Sequence, residues 1–311
     1  MQKVIVTGPT GAIGVALIQT LINHDIKVLA VVRKDSKRKE NIPQSDKVQV
    51  VELNLEKIKN LPQLVKEKYD VFYHFGWDGT FGNSRNHMQG QLQNIQYALD
   101  AVEAACEMGC RKFIGAGSQA EYGRVEGKLT ANTPTFPENG YGIAKLCAGQ
   151  MTRILCEQKG MEHIWTRILS VYGPYDGENT MVMSTIRKLM CGEVPSFTKC
   201  EQMWDYLYSK DAGRTMYLLG IKGISGKTYC IGSGQVKPLL SYVEGIRDCI
   251  NPEAELGIGE VPYAPNQVMY LCADIEELTK DTGFVPEYEF ERGIRETVKW
   301  YRERVPNEGM T

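Results

Sequence analysis

Short apolar runs rich in β-branched residues recur through the first half of the chain, at 3–8, 26–32, 47–53, 70–76, 112–117 and 163–171. Amphipathic stretches lie between them, most clearly at 12–23, 89–108 and 141–159. The runs predict strands and the stretches predict helices. Strand alternating with helix implies a parallel sheet covered on both faces, because parallel strands need crossover connections. The expected fold is therefore α/β, a doubly wound parallel sheet, and ligands bind such sheets beyond the carboxyl ends of the strands.

Composition narrows the class of partner. With 311 residues, 42% of them apolar, the chain has enough material for one large domain, or for a larger and a smaller one sharing a cleft. Its 36 basic and 38 acidic side chains nearly cancel, so no global field favours nucleic acid or an anionic membrane, and a small-molecule partner fits better. Nine cysteines, odd in number and without a CxxC pair, read as reduced thiols rather than disulfides or zinc ligands. No metal site is expected. No run approaches the roughly 18 apolar residues of a membrane helix, and the opening "MQKVIVTGPTG" enters a strand directly, so a cytoplasmic protein is expected.

Candidate chemistry begins at the end of the first run. In "TGPTGAIG", Gly8, Gly11 and Gly14 follow a strand and open a helix, where glycines permit a tight turn and free N–H groups meet a pyrophosphate. This predicts a dinucleotide cofactor. The tip of the second strand reads "VVRKDSKRK", and Arg33, with Lys34, Lys37 or Arg38, suits a 2′-phosphate. NADP is favoured there, while Asp35 keeps NAD open by offering a ribose partner. Further on, "YGIAK" places Tyr141 and Lys145 one helical turn apart, on the same face. The same spacing recurs at Tyr206 and Lys210 in "YLYSK", so spacing alone does not choose between the copies.

Six elements in order do choose: "TGPTGAIG", "DVFYHFGW", "KFIGAGSQAEYG", "YGIAK", "TRILSVYGP" and "WDYLYSKDAG". Over essentially its whole length the chain resembles the extended short-chain dehydrogenase/reductases, the nucleotide-sugar epimerase, dehydratase and ketoreductase family. The resemblance implies a Rossmann domain at 1–173 and 206–255 and a smaller C-terminal substrate-binding lobe at 174–205 and 256–311. It makes Ser118, Tyr141 and Lys145 the catalytic set and leaves Tyr206 and Lys210 as framework. Besides the three glycines and Arg33, it puts Thr10, Ala12, Ile13, Asn54, Leu55 and Gly76 against the cofactor, together with Tyr141 and Lys145. In the family mechanism the tyrosine exchanges a proton with a sugar oxygen as hydride moves. Lys145 and the oxidised ring are expected to lower the phenol from about 10 toward about 7. Asn94 is expected to organise the catalytic region, Arg167 and Glu121 to belong to the framework, and His74 to be packed. A homodimer through helices 89–108 and 141–159 is also implied.

Departures from the family pattern refine the expectation. Dehydratases carry Thr-Asp-Glu where this chain has Ser118, Gln119 and Ala120, and elimination of water needs that acid and base. Trp204 stands where relatives place a diphosphate-clamping arginine, and 266–275 contains none. Arg187 and Lys188 are candidate substitutes. Trp77, Thr80 and Arg85, in the polar loop 77–91, and Trp204 are candidate substrate contacts. The reading is an NAD(P)-dependent nucleotide-sugar oxidoreductase: a 4-keto-sugar reductase or, alternatively, a C4 epimerase. A non-catalytic dinucleotide sensor is the reading from another class, disfavoured because all three catalytic residues are kept.

Overall fold

The computed structural model describes residues 1–304. Its strands are β1 (Lys3–Thr7), β2 (Lys27–Val32), β3 (Val48–Glu52), β4 (Val71–His74), β5 (Lys112–Ser118), β6 (Glu162–Ile168) and β7 (Ser170–Tyr172), followed by β8 (Ser196–Phe197), β9 (Met203–Trp204), β10 (Tyr206–Tyr208), β11 (Thr228–Ile231), β12 (Lys237–Pro238) and β13 (Gly257–Ile258). The helices are α1 (Ala12–Asn23), α2 (Leu61–Leu64), α3 (Met88–Glu107), α4 (Gly140–Gln158), α5 (Met181–Met190), α6 (Ser209–Lys222), α7 (Leu239–Ile250), α8 (Glu276–Thr282) and α9 (Phe290–Arg304).

Seven strands form one sheet in the order β11, β6, β5, β4, β1, β2, β3, and every neighbouring pair is parallel. The order reverses at β1, and the crevice above that reversal is where such sheets receive ligands. Alternation within β1 serves two cores. Val4 and Val6 pack with Leu17, Ile18 and Leu21 of α1 and with Met216 and Leu219 of α6. Ile5 faces the other way, toward Phe72, Phe113, Ala101, Val102 and Cys156.

The long run at 163–171 is not one strand. Leu169 separates β6, which stays in the main sheet, from β7, which pairs with β10 instead. The chain leaves the sheet there to enter a second cluster, in which Tyr172, Tyr208, Tyr242 and Phe290 pack with Ile186, Ile246 and Ile294. Helices α5, α7 and α9 build this C-terminal lobe. The sequence division put 206–255 in the larger part and 256–311 in the smaller. In the structure Tyr242 and Ile246 of α7 face the smaller cluster, whereas Leu278 of α8 joins the sheet core. Apolar stripes, not chain position, decide which lobe a helix serves.

One packing arrangement brings α4 unusually close to the sheet. Trp165 of β6 lies across β5 and under α4, and a Cβ would come within 2.3 Å of its ring at Gly115 and Gly117, and within 2.7 Å at Gly149. The absence of side chains at these three positions leaves room for the indole, and α4 seats on it. Among the described residues no helix is long and apolar enough to cross a membrane, and no cluster of His, Cys, Asp and Glu has metal-holding geometry.

Candidate active site

The turn after β1 is shaped by contact as much as by conformation. Gly8 adopts φ +68°, and a Cβ on Gly14 would lie 2.3 Å from the Gly8 carbonyl oxygen. Gly11 caps α1 with no side chain accepting from the first turn, and nothing lies within 4 Å of where its Cβ would be. The residues of the first helical turn, Ala12, Ile13 and Gly14, border a cleft, where their N–H groups suit a pyrophosphate. Around this turn the strand tips are tied together. The Gly76 N–H donates to Thr7 Oγ1 at 3.1 Å, Leu55 packs on Gly76, and the Lys34 N–H donates to Asn54 Oδ1 at 3.1 Å. Thr7 Oγ1 also bonds His74 Nδ1 at 3.0 Å, and burial pulls that imidazole down to about 3, so it is neutral. Arg33 is exposed at the tip of β2, with its guanidinium 3.6 Å from Asp78.

A cleft of about 510 Å³ runs from this turn across β4 and β5 toward the smaller lobe. It is lined by Gly8, Gly11, Ala12, Ile13 and Gly14 at one end, by Ser118, Tyr141 and Lys145 in the middle, and by Trp77, Thr80, Arg85 and Trp204 beyond. Thr10, Arg33, Asn54, Leu55 and Gly76 shape its surroundings without lining it.

Tyr141 sits in the first turn of α4, which Asn139 caps by accepting from the Gly142 N–H at 2.9 Å. One turn on, Lys145 is 3% exposed; its ammonium donates to the Ala116 carbonyl at 2.6 Å and lies 3.7 Å from the Trp77 ring centroid. Burial pulls Lys145 down to about 7, with Glu121 acting in the opposite direction. Burial also pushes the Tyr141 phenol above its ordinary range, against the Ser118 hydroxyl and the Arg85 guanidinium, which stands 4.6 Å over the ring. The expected lowering of the phenol is therefore not a property of the chain alone. Desolvation outweighs the local donors, and a further positive charge would act in the opposite direction.

Long-range contacts hold these groups in place. Glu121, fully buried, accepts from the Ser118 N–H at 2.9 Å, from Trp165 Nε1 at 3.0 Å and from Arg167 Nε at 2.8 Å. Ser118 Oγ in turn accepts from the Ala120 N–H at 3.2 Å, which closes a reciprocal cap. On the other wall the loop 77–87 is pinned by α3. Trp77 Nε1 donates to Gln91 Oε1 at 2.9 Å, Gln91 Nε2 donates to the Gly79 and Ser84 carbonyls, and Asn94 bonds both backbone groups of Asp78. Sequence reasoning singled out Asn94 but missed Gln91, although a buried glutamine on the same helix face as Asn94 is the available signal. It also missed Phe81, in the loop after β4, and Asp176, Thr180, Met181 and Val182, which reach the cleft from the segment that leads into and begins α5. Arg187, a candidate for the diphosphate, does not reach the cleft; it lines a separate hollow. Tyr206 lines the cleft wall within the tyrosine cluster, while Lys210 turns away to pair with Glu296 at 2.5 Å, so this copy of the motif is split between two environments.

Fold and cleft together define an enzyme of the extended short-chain dehydrogenase/reductase class, built around a dinucleotide turn. Residues 4–232 match the NAD dependent epimerase/dehydratase family, and the chain belongs to that family. It is similar, at 25% identity over 97% of this chain and 98% of the relative, to dTDP-glucose 4,6-dehydratase of Haemophilus influenzae. Its fold is that of UDP-N-acetylglucosamine 4-epimerase from Methanobrevibacter ruminantium in complex with UDP-N-acetylmuramic acid, with TM-score 0.88, 23% identity and 98% and 99% of the two chains covered. UDP-glucose 4-epimerase from Thermotoga maritima, with UDP-glucose, superimposes with TM-score 0.84 at 21% identity, over 97% and 99% of the chains.

Because Glu121 is the buried counter-charge of Arg167, Glu121→Gln is expected to cost roughly 3–5 kcal/mol. Chemical denaturation measures this; a loss under about 1 kcal/mol, the scale of one ordinary hydrogen bond, overturns it.

Proposed function

We propose that the chain transfers hydride at a sugar carbon of a nucleotide sugar, in the net direction of reducing a 4-keto sugar. The observation that supports this is the meeting of Ser118, Tyr141 and Lys145 in one cleft beside an uncapped helix N-terminus. A bound nicotinamide dinucleotide supplies the hydride and, when oxidised, a positive charge. The glycine turn and the first N–H groups of α1 hold its pyrophosphate. Tyr141 gives its proton to the sugar oxygen, and Ser118 hydrogen-bonds the same oxygen. Lys145, anchored on Ala116, holds the nicotinamide ribose and orients the reacting carbon. Arg85 adds a cation over the Tyr141 ring and, with Thr80 and Trp204, borders the sugar. Gln119 and Ala120 supply no acid and base for elimination, which separates this reading from the dehydratase activity in the names of similar proteins.

A C4 epimerase with retained NAD is the second reading. It is favoured by the Asp78 carboxylate already beside Arg33, which a 2′-phosphate would have to displace. Consumption of NADPH by a 4-keto-sugar nucleotide supports the reductase. Interconversion of C4 epimers with no net change in nicotinamide absorbance supports the epimerase.

Tyr141→Phe is expected to keep fold and cofactor binding and to lower turnover by roughly 100- to 10,000-fold. Tyr206→Phe should leave turnover near that of the parent, and Lys145→Met should lose turnover and also bind cofactor more weakly. Steady-state kinetics and thermal midpoints of the three variants test the assignment, and an active Tyr141→Phe beside a folded, inactive Tyr206→Phe reverses it. Arg33→Asp should shift preference from NADP toward NAD, and unchanged relative affinities count against a 2′-phosphate role. We also propose a homodimer through α3 and α4, whose outer faces leave Leu92, Ile143, Met151 and Ile154 exposed. Sedimentation at micromolar concentration tests it, and a monomer mass rejects it.

A further inference from the structure

A second hollow lies apart from the catalytic cleft. It measures about 710 Å³ and lies between the loop after β2, the segment joining β7 to α5, and the last turns of α9. Its volume is within the range of small-molecule sites. Four cations from three separate elements line it: Lys37 and Arg38, Arg187 of α5, and Arg304 of α9. Among the described residues none of the four has a carboxylate oxygen within 4 Å. The three acids of the hollow, Glu40, Asp176 and Glu178, make no ion pair within 4 Å with them, although the Arg38 charge is felt at Asp176, which is engaged by the Gly177 N–H at 2.7 Å and the Thr180 hydroxyl at 2.9 Å. Burial pushes Asp176 up to about 6, with the Gly177 N–H, the Thr180 hydroxyl and the Arg38 charge acting the other way. Trp300 and Tyr301 add aromatic surface.

The hollow is wired to the glycine turn. Arg304 donates to Asn41 Oδ1 at 2.8 Å, and Asn41 Nδ2 donates to the Thr10 carbonyl at 3.2 Å. Arg304 also stacks over Tyr175, 4.8 Å to its centroid. Tyr175 holds a left-handed φ of 67°, and Arg38 donates to its carbonyl. An anion drawing on Arg38 and Arg304 therefore bears on both the cofactor turn and the segment that leads into α5.

We propose that this hollow is a second phosphate-recognising site, taking the phosphates of a nucleotide on Arg38, Arg187 and Arg304 and its base against Trp300 and Tyr301. Convergent guanidinium groups suit phosphate oxygens, and the aromatic rings suit a planar base. The phosphate comes either from a free nucleotide or from the 2′-phosphate of a dinucleotide lying in the neighbouring cleft.

The test uses the full chain and calorimetric titration with ADP, in the presence of saturating NAD and, separately, of saturating NADP. Adenosine serves as the phosphate-free control, and Arg187→Gln as the variant, since Arg187 touches neither the glycine turn nor the cleft. ADP is expected to bind the NAD-saturated chain at one site, adenosine to bind at least roughly tenfold more weakly, and Arg187→Gln to weaken ADP by roughly tenfold or more. If NADP alone blocks ADP, and Arg187→Gln weakens NADP but not NAD, the cofactor is the phosphate source; if ADP binds in both, a free nucleotide is. Absence of ADP binding in the NAD-saturated chain, or ADP binding untouched by Arg187→Gln, overturns the site. Should neither dinucleotide bind, the cofactor reading fails, and ADP binding with its loss in Arg187→Gln still decides the hollow.

Discussion

Glu121 is a carboxylate with no solvent exposure, and the active-site wall depends on it. Its two oxygens are shared among the Ser118 N–H, the Trp165 indole and the Arg167 guanidinium, so one side chain joins the end of β5 to the middle of β6. A buried charge of this kind persists only when fully paired, and each of its partners is thereby held. Ser118 is placed by the cap that Glu121 closes. Trp165 is held flat between the glycines of β5 and Gly149, and that flatness lets α4 carry Lys145 to the Ala116 carbonyl.

The electrostatics of the Tyr-Lys pair follow from its burial. Burial disfavours the charged forms of both members of the Tyr-Lys pair, raising the phenol and lowering the ammonium to about 7. Arg85 and Trp77 flank the pair from the segment 77–87, in which Gly82–Asn86 form a short 3-10 helix, held by Gln91 and Asn94 of α3. The groups that bracket the tyrosine thus belong to the helix pair α3 and α4 as much as to the sheet. Binding a positive ring in this cleft would do what the protein's own donors do only in part.

The smaller lobe is a cluster of aromatic rings around Tyr172, Tyr206, Tyr242 and Phe290, and it closes the cleft from the far side. Trp204 reaches Ser170 Oγ at 2.9 Å from this lobe, in a position where a clamping arginine was the expected residue. Beside Arg85 and Lys145 of the cleft, further cationic charge gathers in the neighbouring hollow of Lys37, Arg38, Arg187 and Arg304.

Whatever depended on near neighbours in the chain was legible in the sequence. The strands and helices of the first half follow from local periodicity, the turn at Gly8 to Gly14 from its place between a strand and a helix, and the shared face of Tyr141 and Lys145 from helical spacing. The break at Leu169, the allegiance of α7 to the smaller lobe, the pinning of the loop by Gln91 and the raised phenol were decided only by tertiary structure. Each depends on what lies across a gap that sequence spacing does not measure. Glu121 meets Arg167 across 46 positions, and Arg304 meets Asn41 across 263. Desolvation, too, is a property of the packed surroundings and not of the residue, which is why the same Tyr-Lys spacing yields a buried pair in one copy and a divided one in the other.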